Sequence, residues 1–314
     1  MSVLRIGTRG SALALAQANW VKERLESPGT DLRVEVAVIK TRGDRFVETA
    51  IQAIGGKGLF TKEIEEALLH GEIDVAVHSM KDLPTDLPDG LMIAAVPERE
   101  DPRDVLVTRN RARLDELPAG ARIGTGSLRR RSQILHHRPD LRVIPIRGNV
   151  DTRLKKLESG EVDGLIMAAA GLNRIGRSDR IAEMLPPEIC VSAVAQGALA
   201  LQTRRDHAVC ATVAVLHHHA TATEVAAERS FLRRAGGGCL VPVGARAFAT
   251  GESLRIIGVI GDPDGHALFR GEKSAGADVT AETGAALADE LLGQGADRIL
   301  ASLERQESVG NGES

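Results

Sequence analysis

Arg5-Ile6-Gly7-Thr8-Arg9-Gly10-Ser11 closes an apolar, β-branched run at Val3–Thr8 and opens a helical run at Ser11–Glu26. Nearly the same words return as Arg122-Ile123-Gly124-Thr125-Gly126-Ser127. A second echo follows in the same order. Gly71-Glu72-Ile73-Asp74 reappears as Gly160-Glu161-Val162-Asp163, each time leading from a helix into an apolar strand. Chance produces either echo alone; both in order imply two α/β domains of one plan, facing each other across a cleft.

Outward from these motifs the pattern is regular. Leu32–Ile39, Ile73–Val77 and Leu91–Val96 read as strands and Leu59–Leu69 as a helix, an alternation that predicts a mainly parallel sheet covered by helices. The polar stretch Pro97–Arg103 breaks it as an inter-domain linker. Gly197–Gln202 reads as a further strand and Asp206–Leu216 as a helix. From Ala220 the character changes: a helix at Thr221–Arg234, the turn Gly236-Gly237-Gly238-Cys239, then strands at Pro242–Ala249, Leu254–Gly261 and His266–Arg270. A helix at Val279–Leu303 closes the chain. Short turns such as Asp262-Pro263-Asp264-Gly265 make this a smaller α+β domain, a three-stranded antiparallel sheet with helices on one face.

Bulk properties exclude several classes. A chain of 314 residues is too long for one ordinary core. No apolar run reaches the ~18 residues that span a bilayer, so no membrane is expected. Residues Met1–Arg5 carry no basic-then-apolar leader, which points to the cytoplasm rather than to export. Three cysteines, Cys190, Cys210 and Cys239, form no CxxC pair and suit a reducing compartment. Net charge is -3 and aromatic residues are 2% of the chain, which leaves few stacking platforms for nucleic acid. His136-His137 and His217-His218-His219 lack acidic or thiol partners at ligand spacing, so no metal is expected.

The arginines therefore need a local reason. Ser11 and Ser127 stand as N-caps where two helices begin, and helix N-termini attract anions. Arg9 accompanies the first cap and Arg129-Arg130-Arg131 the second. Three consecutive arginines fan around a helix, so one is expected to face the cleft and another solvent. Arg147 follows a strand, Arg153 lies one turn beyond Asn149, and Arg174 closes a helix. Guanidinium groups at strand ends and helix starts suit a ligand with several carboxylates or phosphates. Asp82, in His78-Ser79-Met80-Lys81-Asp82, follows an apolar strand at the end where α/β sheets bind ligands. A lone carboxylate in a cationic cleft is placed to stabilise a cation forming on the substrate. Gly55-Gly56-Lys57-Gly58-Leu59-Phe60 fails the P-loop spacing and reads as a glycine-rich lid. Three glycines before Cys239 leave its thiol open to a bulky group.

Taken in order, Arg5–Arg9, Thr41–Asp44, Gly55–Phe60, His78–Asp82, Gly124–Arg130, Arg147–Asn149 with Arg153, and Gly237–Cys239 resemble the motifs of porphobilinogen deaminases. The likeness runs from residue 4 to about residue 250, and the combination is specific although no single piece is. It implies two domains with the plan of periplasmic solute-binding proteins around a cleft, plus the smaller α+β domain. By that match domain 1 takes residues 1–97 and 197–216, domain 2 takes 103–192 and domain 3 takes 220–306, with crossovers at Pro97–Arg103 and Ser192–Gly197.

The resemblance further implies a dipyrromethane cofactor joined to Cys239 through a thioether, with Asp82 as the catalytic carboxylate. Lys81, Asp82, Thr125, Ser127, Arg129, Arg130 and Arg147 match cofactor-binding positions. Arg9, Ser11, Arg147, Arg153 and Arg174 match substrate-binding positions, and Lys57 and Phe60 belong to the lid. The implied reaction is stepwise: porphobilinogen loses ammonia to give an azafulvene, four units join the primer, and water releases hydroxymethylbilane for tetrapyrrole biosynthesis. The implied enzyme is a monomer that takes a small-molecule substrate and hands its product to a following enzyme. Gly126 departs from relatives with a second serine there, and Ala53 from those with a lid lysine.

Two other readings fit parts of the chain. A solute-binding protein shares the cleft but expects a secretory leader and has no use for domain 3 or the Gly-Gly-Gly-Cys turn. A nucleic-acid binder using Arg129–Arg131 conflicts with the charge and the scarcity of aromatics.

Overall fold

The computed structural model describes residues 2–26, 31–41, 61–205, 208–236, 241–276 and 278–310. It divides into two compact units, residues 1–100 with 197–222, and residues 101–196 with 223–314. In chain order the elements are β1 (Ser2–Thr8), α1 (Ala12–Leu25), β2 (Leu32–Val38), α2 (Lys62–Leu69), β3 (Val75–Ser79) and β4 (Leu91–Ala95). The second unit then supplies β5 (Asp104–Thr108), β6 (Arg122–Gly124), α3 (Leu128–His137), β7 (Arg142–Ile144) and α4 (Val150–Glu158). It continues with β8 (Gly164–Ala168), α5 (Ala169–Arg174) and β9 (Glu183–Met184). β10 (Leu199–Arg204) and α6 (Val209–Ala214) follow, then α7 (His219–Arg234), β11 (Val243–Thr250), β12 (Ser253–Gly261), β13 (Leu268–Gly276), α8 (Thr280–Leu291) and α9 (Asp297–Gly310).

In the first unit the sheet order is β2-β1-β3-β10-β4. β1 runs parallel to β2 and β3, and β10 runs antiparallel to β3 and β4. The second unit repeats this plan as β7-β6-β8-β5-β9, with β6 parallel to β7 and β8, and β5 antiparallel to β8 and β9. In each sheet the antiparallel strand is the first one after a crossover. The echoed sequences thus mark a repeated topology, and they touch: Arg5 pairs with Asp74, and Arg122 with Asp163.

Both sheets are sandwiched by helices, as near-continuous apolar strands require. Ala18, Val21 and Leu25 of α1 and Val213 of α6 pack on Leu4, Ile6 and Val77. Ile64, Ala67 and Leu68 of α2 cover the opposite face with Ile73 and Ala76. In the second unit, Leu154 and Leu157 of α4 cover Leu165 and Met167, while Ile134 of α3 packs on Leu106, Ile123 and Ile166.

The three-stranded sheet β11-β12-β13 is antiparallel and lies in the same compact unit as β5 to β9. Strand alternation divides β12 between two partners. Ile257 and Val259 pack with Val191, whereas the backbone at Gly258 on the other face sits against Phe231 of α7 and Leu287 of α8. Two expected elements differ in extent. β13 runs on to Gly276, because Gly271–Gly276 is a polar edge strand whose exposed side chains carry no apolar signal. The single helix expected over Val279–Leu303 is two, divided at Leu292–Ala296, where Gly295 takes φ +115°. α2 starts at Lys62 within the described residues.

Candidate active site

In the first unit, parallel pairing of β1 and β3 brings their carboxyl ends to one edge. Arg9 and Ser11 leave β1 there, and Ser79 through Asp82 leave β3. Ser11 caps α1, its Oγ accepting from the Ala14 N–H at 3.2 Å. Met80–Asp82 forms one 3-10 turn, tied by Met80 N to Ala198 O at 3.0 Å and Leu83 N to Met80 O at 3.2 Å. Buried Met80 and Leu83 anchor the turn, so that half-buried Lys81 and exposed Asp82 project from it. Arg9, Ser11, Gln17, Thr61, His78, Ser79 and Asp82 line one pocket.

A buried polar chain supports that pocket. His78 Nε2 meets Gln202 Oε1 at 3.0 Å, Gln202 Nε2 donates to Glu65 Oε1 at 2.9 Å, and Thr61 Oγ1 donates to Glu65 Oε2 at 3.4 Å. Because the Gln202 amide nitrogen faces Glu65, its oxygen is an acceptor and His78 carries its proton on Nε2. Burial pushes His78 down to about 4, the Gln202 bond resists, and Arg9 adds to the fall. The ring is neutral near pH 7. Gln17 Nε2 donates to Ser79 Oγ at 2.8 Å and fixes the end of β3.

In the second unit the carboxyl ends of β6, β7 and β8 present Thr125 and Ser127, Arg147, and the helix that ends in Arg174. Ser127 caps α3 through the Arg130 N–H at 3.5 Å, and its own N–H donates to Thr125 Oγ1 at 3.2 Å. Gly126 has a steric reason: a Cβ there would lie 3.0 Å from the Ile146 carbonyl oxygen, so a serine requires that strand end to give.

The three consecutive arginines do not fan between cleft and solvent as expected. Arg129 and Arg130 are buried, and both point at Asp104, the first residue of β5. Asp104 Oδ2 accepts from Arg129 Nη1 at 2.5 Å, and Oδ1 accepts from Arg130 Nε at 3.0 Å and Nη2 at 2.8 Å. Gln196 Nε2 adds a bond to Oδ1 at 2.9 Å, and the Cys190 thiol one to Oδ2 at 3.2 Å. Burial alone raises a carboxyl; here the charges of Arg129 and Arg130 overcome it and hold Asp104 far below the usual range. Cys190 is pushed up to about 12 by burial and then by Asp104, so it is an inert thiol. Arg131 turns to domain 3 instead, donating to Pro263 O at 2.9 Å and Asp264 Oδ1 at 2.7 Å.

Arg153 has different company. Its Nε donates to Gly148 O at 2.8 Å, and among the described residues no carboxylate pairs with it. Burial, and then the charge of Arg130, push Arg153 down to about 10. Arg129 and Arg130 thus share one carboxylate, while the charge of Arg153 is felt beside Arg130 with no carboxylate of its own among the described residues. This part of the second unit carries an excess of positive charge.

Cys239, Lys57 and Phe60 lie outside the described residues. Sequence reasoning passed over Asp104, Gln196, Gln17, Gln202 and Glu65. Of these, Asp104 left one trace, an acid heading the apolar run Val105-Leu106-Val107. The histidine clusters have ordinary partners: His217 Nδ1 accepts from the Val96 N–H at 3.3 Å, His218 Nδ1 meets Thr221 Oγ1 at 2.9 Å, and His136 Nδ1 meets Gly265 O at 3.0 Å. Among the described residues, no helix is long and apolar enough to cross a membrane.

Comparison with known proteins places the chain in a family. A family model described as porphobilinogen deaminase, dipyromethane cofactor binding domain, matches residues 4–212, and one described as porphobilinogen deaminase, C-terminal domain, matches residues 222–293. Porphobilinogen deaminase of Syntrophotalea carbinolica is 49% identical over 304 residues, covering 96% of each chain. That of Pelobacter propionicus is 49% identical over 305 residues, covering 97% of this chain and 98% of the relative. Among solved structures, the methionine-binding protein MetQ is similar with a TM-score of 0.43 and 11% identity, covering 68% of this chain and 89% of that one. The chain belongs to the porphobilinogen deaminase (hydroxymethylbilane synthase) family, transferases of tetrapyrrole biosynthesis with a dipyrromethane cofactor.

Proposed function

We propose that the chain adds porphobilinogen units, four in turn, to a dipyrromethane primer held by a thioether on Cys239, and releases hydroxymethylbilane with water. One observation carries this reading: the second unit sets two buried guanidinium groups against a single carboxylate and adds the half-buried Arg153 near Arg130, an excess of positive charge. Each pyrrole ring of such a primer brings an acetate and a propionate, so the donor set suits the group. When bound, the dipyrromethane supplies a nucleophilic pyrrole carbon and a row of carboxylates.

Arg147, Arg153 and Arg174 bind carboxylates of cofactor and incoming substrate, each charge-assisted contact contributing about 1.5–3 kcal/mol. Thr125 and Ser127 add hydroxyl donors at the start of α3. Arg129 and Arg130, locked on Asp104, bind cofactor carboxylates chiefly through the positive field they share with Arg153. In the first unit Arg9, Ser11 and Lys81 orient the acidic side chains of porphobilinogen beside Asp82. Lys57 and Phe60 exclude water as part of the lid.

Asp82 accepts the pyrrole N–H of porphobilinogen on a carboxylate oxygen. It stabilises the positive charge that spreads onto that nitrogen as ammonia leaves, and it takes up and returns the ring proton. His78 is buried with its Nε2 engaged by Gln202 Oε1 at 3.0 Å, whereas Asp82 is exposed and lines the pocket. The proton shuttle falls to Asp82.

The test is a mass ladder. The purified chain, mixed with limiting porphobilinogen and measured under denaturing conditions, is expected to show species one to four pyrrole units heavier than the resting form. Product formation without protein-bound increments contradicts a primer on the chain.

A further inference from the structure

Asp104 is fully buried, yet its role in the molecule exceeds one ion pair. Gln196 Nε2 donates both to its Oδ1 at 2.9 Å and to the carbonyl of Pro102 at 2.7 Å. One amide therefore joins the carboxylate to the linker residues that precede β5. Arg130 Nη1 is fixed on Ile166 O at 3.0 Å and Arg129 Nη1 on Val191 O at 2.6 Å. The carboxylate thus sets two guanidinium planes against three strands and loops.

Stability alone does not account for this arrangement. A buried ion pair is seldom better than packed apolar side chains of the same volume, because taking the charges out of water costs so much. Here the charges do not even cancel. Two guanidinium groups face one carboxylate, and Arg153 adds another positive charge near Arg130. An acidic ligand offsets an excess that folding leaves unbalanced.

We propose that Asp104 is a positioning residue: it holds Arg129 and Arg130 in the one orientation in which they serve the carboxylates of substrate and cofactor. This rests on the assignment of Arg130 and Arg153 to carboxylate binding made above. Asp104 itself touches no reacting atom.

Asp104→Asn, Asp104→Glu, Gln196→Leu and Arg153→Leu in the full chain test it. Three readouts are needed: thermal melting, the fraction of chains carrying the dipyrromethane mass increment, and KM against kcat for porphobilinogen. Asp104→Asn is expected to raise KM about tenfold and to lower loading, with kcat of the loaded fraction within about threefold of the parent. Asp104→Glu, which keeps the charge, is expected to recover most of the loading. A lower melting temperature with parental KM and loading overturns the proposal. Should Asp104→Asn fail to fold, Gln196→Leu keeps every charge and removes the side-chain hydrogen bonds to Asp104, Pro102 and Arg130; a KM raised about threefold supports the proposal and a parental KM overturns it. Arg153→Leu separates the two claims. If it leaves KM unchanged, the carboxylate reading itself fails; if it raises KM while Asp104→Asn does not, only the role of Asp104 fails.

Discussion

Arg5 holds Asp74 with three donors: its backbone N–H at 2.9 Å, its Nε at 3.1 Å and its Nη2 at 3.0 Å. The same Nη2 reaches Gly71 O at 2.8 Å, and Gly71 takes φ +73° to present that carbonyl. Arg122 repeats the lock on Asp163 with bonds of 2.8, 3.1 and 2.9 Å, and on Gly160 O at 2.9 Å, with Gly160 at φ +79°. In each unit the lock fixes the start of the central strand whose far end carries site residues. Asp74→Ala is expected to cost about 1 kcal/mol, since the half-exposed Arg5 is freed into water rather than stranded. Urea unfolding checks this, and an unchanged midpoint removes the lock from the account.

His78 makes stability depend on pH. Its folded value, about 4, lies below the 6.5 of an open imidazole. Between these values the unfolded chain binds the extra proton, so stability rises with pH across the window and this contribution is flat above it. The span corresponds to about 3 kcal/mol. Comparing unfolding free energies of the parent and His78→Gln through that range checks it. Parallel curves contradict a neutral buried ring.

Arg130 and Arg153 sit near each other but should respond differently to truncation. Arg130→Leu leaves Asp104 half-paired in the interior, which costs about 3–5 kcal/mol of stability. Arg153→Leu removes a cation with no acid partner among the described residues, so melting holds while KM for porphobilinogen rises about tenfold. Calorimetry and steady-state kinetics on both variants decide the matter; the reverse pattern refutes the charge assignment.

For Asp82, geometry rather than charge is the test. Asp82→Glu moves the carboxylate by about one C–C bond, ~1.5 Å. A displacement of that size can cost about 10²-fold in rate. Turnover is expected to collapse while the protein still gains its cofactor mass. Near-normal turnover refutes the role of Asp82.

Much of the architecture was legible in the sequence because it is written twice. Arg5-Ile6-Gly7-Thr8 and Gly71-Glu72-Ile73-Asp74 recur, and the recurring residues are those that touch each other. Apolar periodicity placed β1, β2 and α1 closely, but it lost the end of β13, whose exposed edge needs no apolar residues. It also ran through Gly295, where one backbone angle divides a helix. At the site, Ser11, Ser127 and Asp82 were marked by their place at strand ends. Asp104 was not, because its partners lie 25, 26 and 92 residues away and nothing local distinguishes it from a surface acid. For the same reason Arg129 and Arg130 looked like a free cationic fan until their common counter-ion was in view.

The most direct measurement is the intact mass of the purified protein under denaturing conditions. A chain that grows an acidic pyrrole oligomer from a sulfur anchor is expected to weigh more than its sequence by one dipyrromethane, and Cys239→Ser is expected to weigh its sequence alone. A folded parent with no added mass, or a serine variant that keeps the increment, contradicts the account.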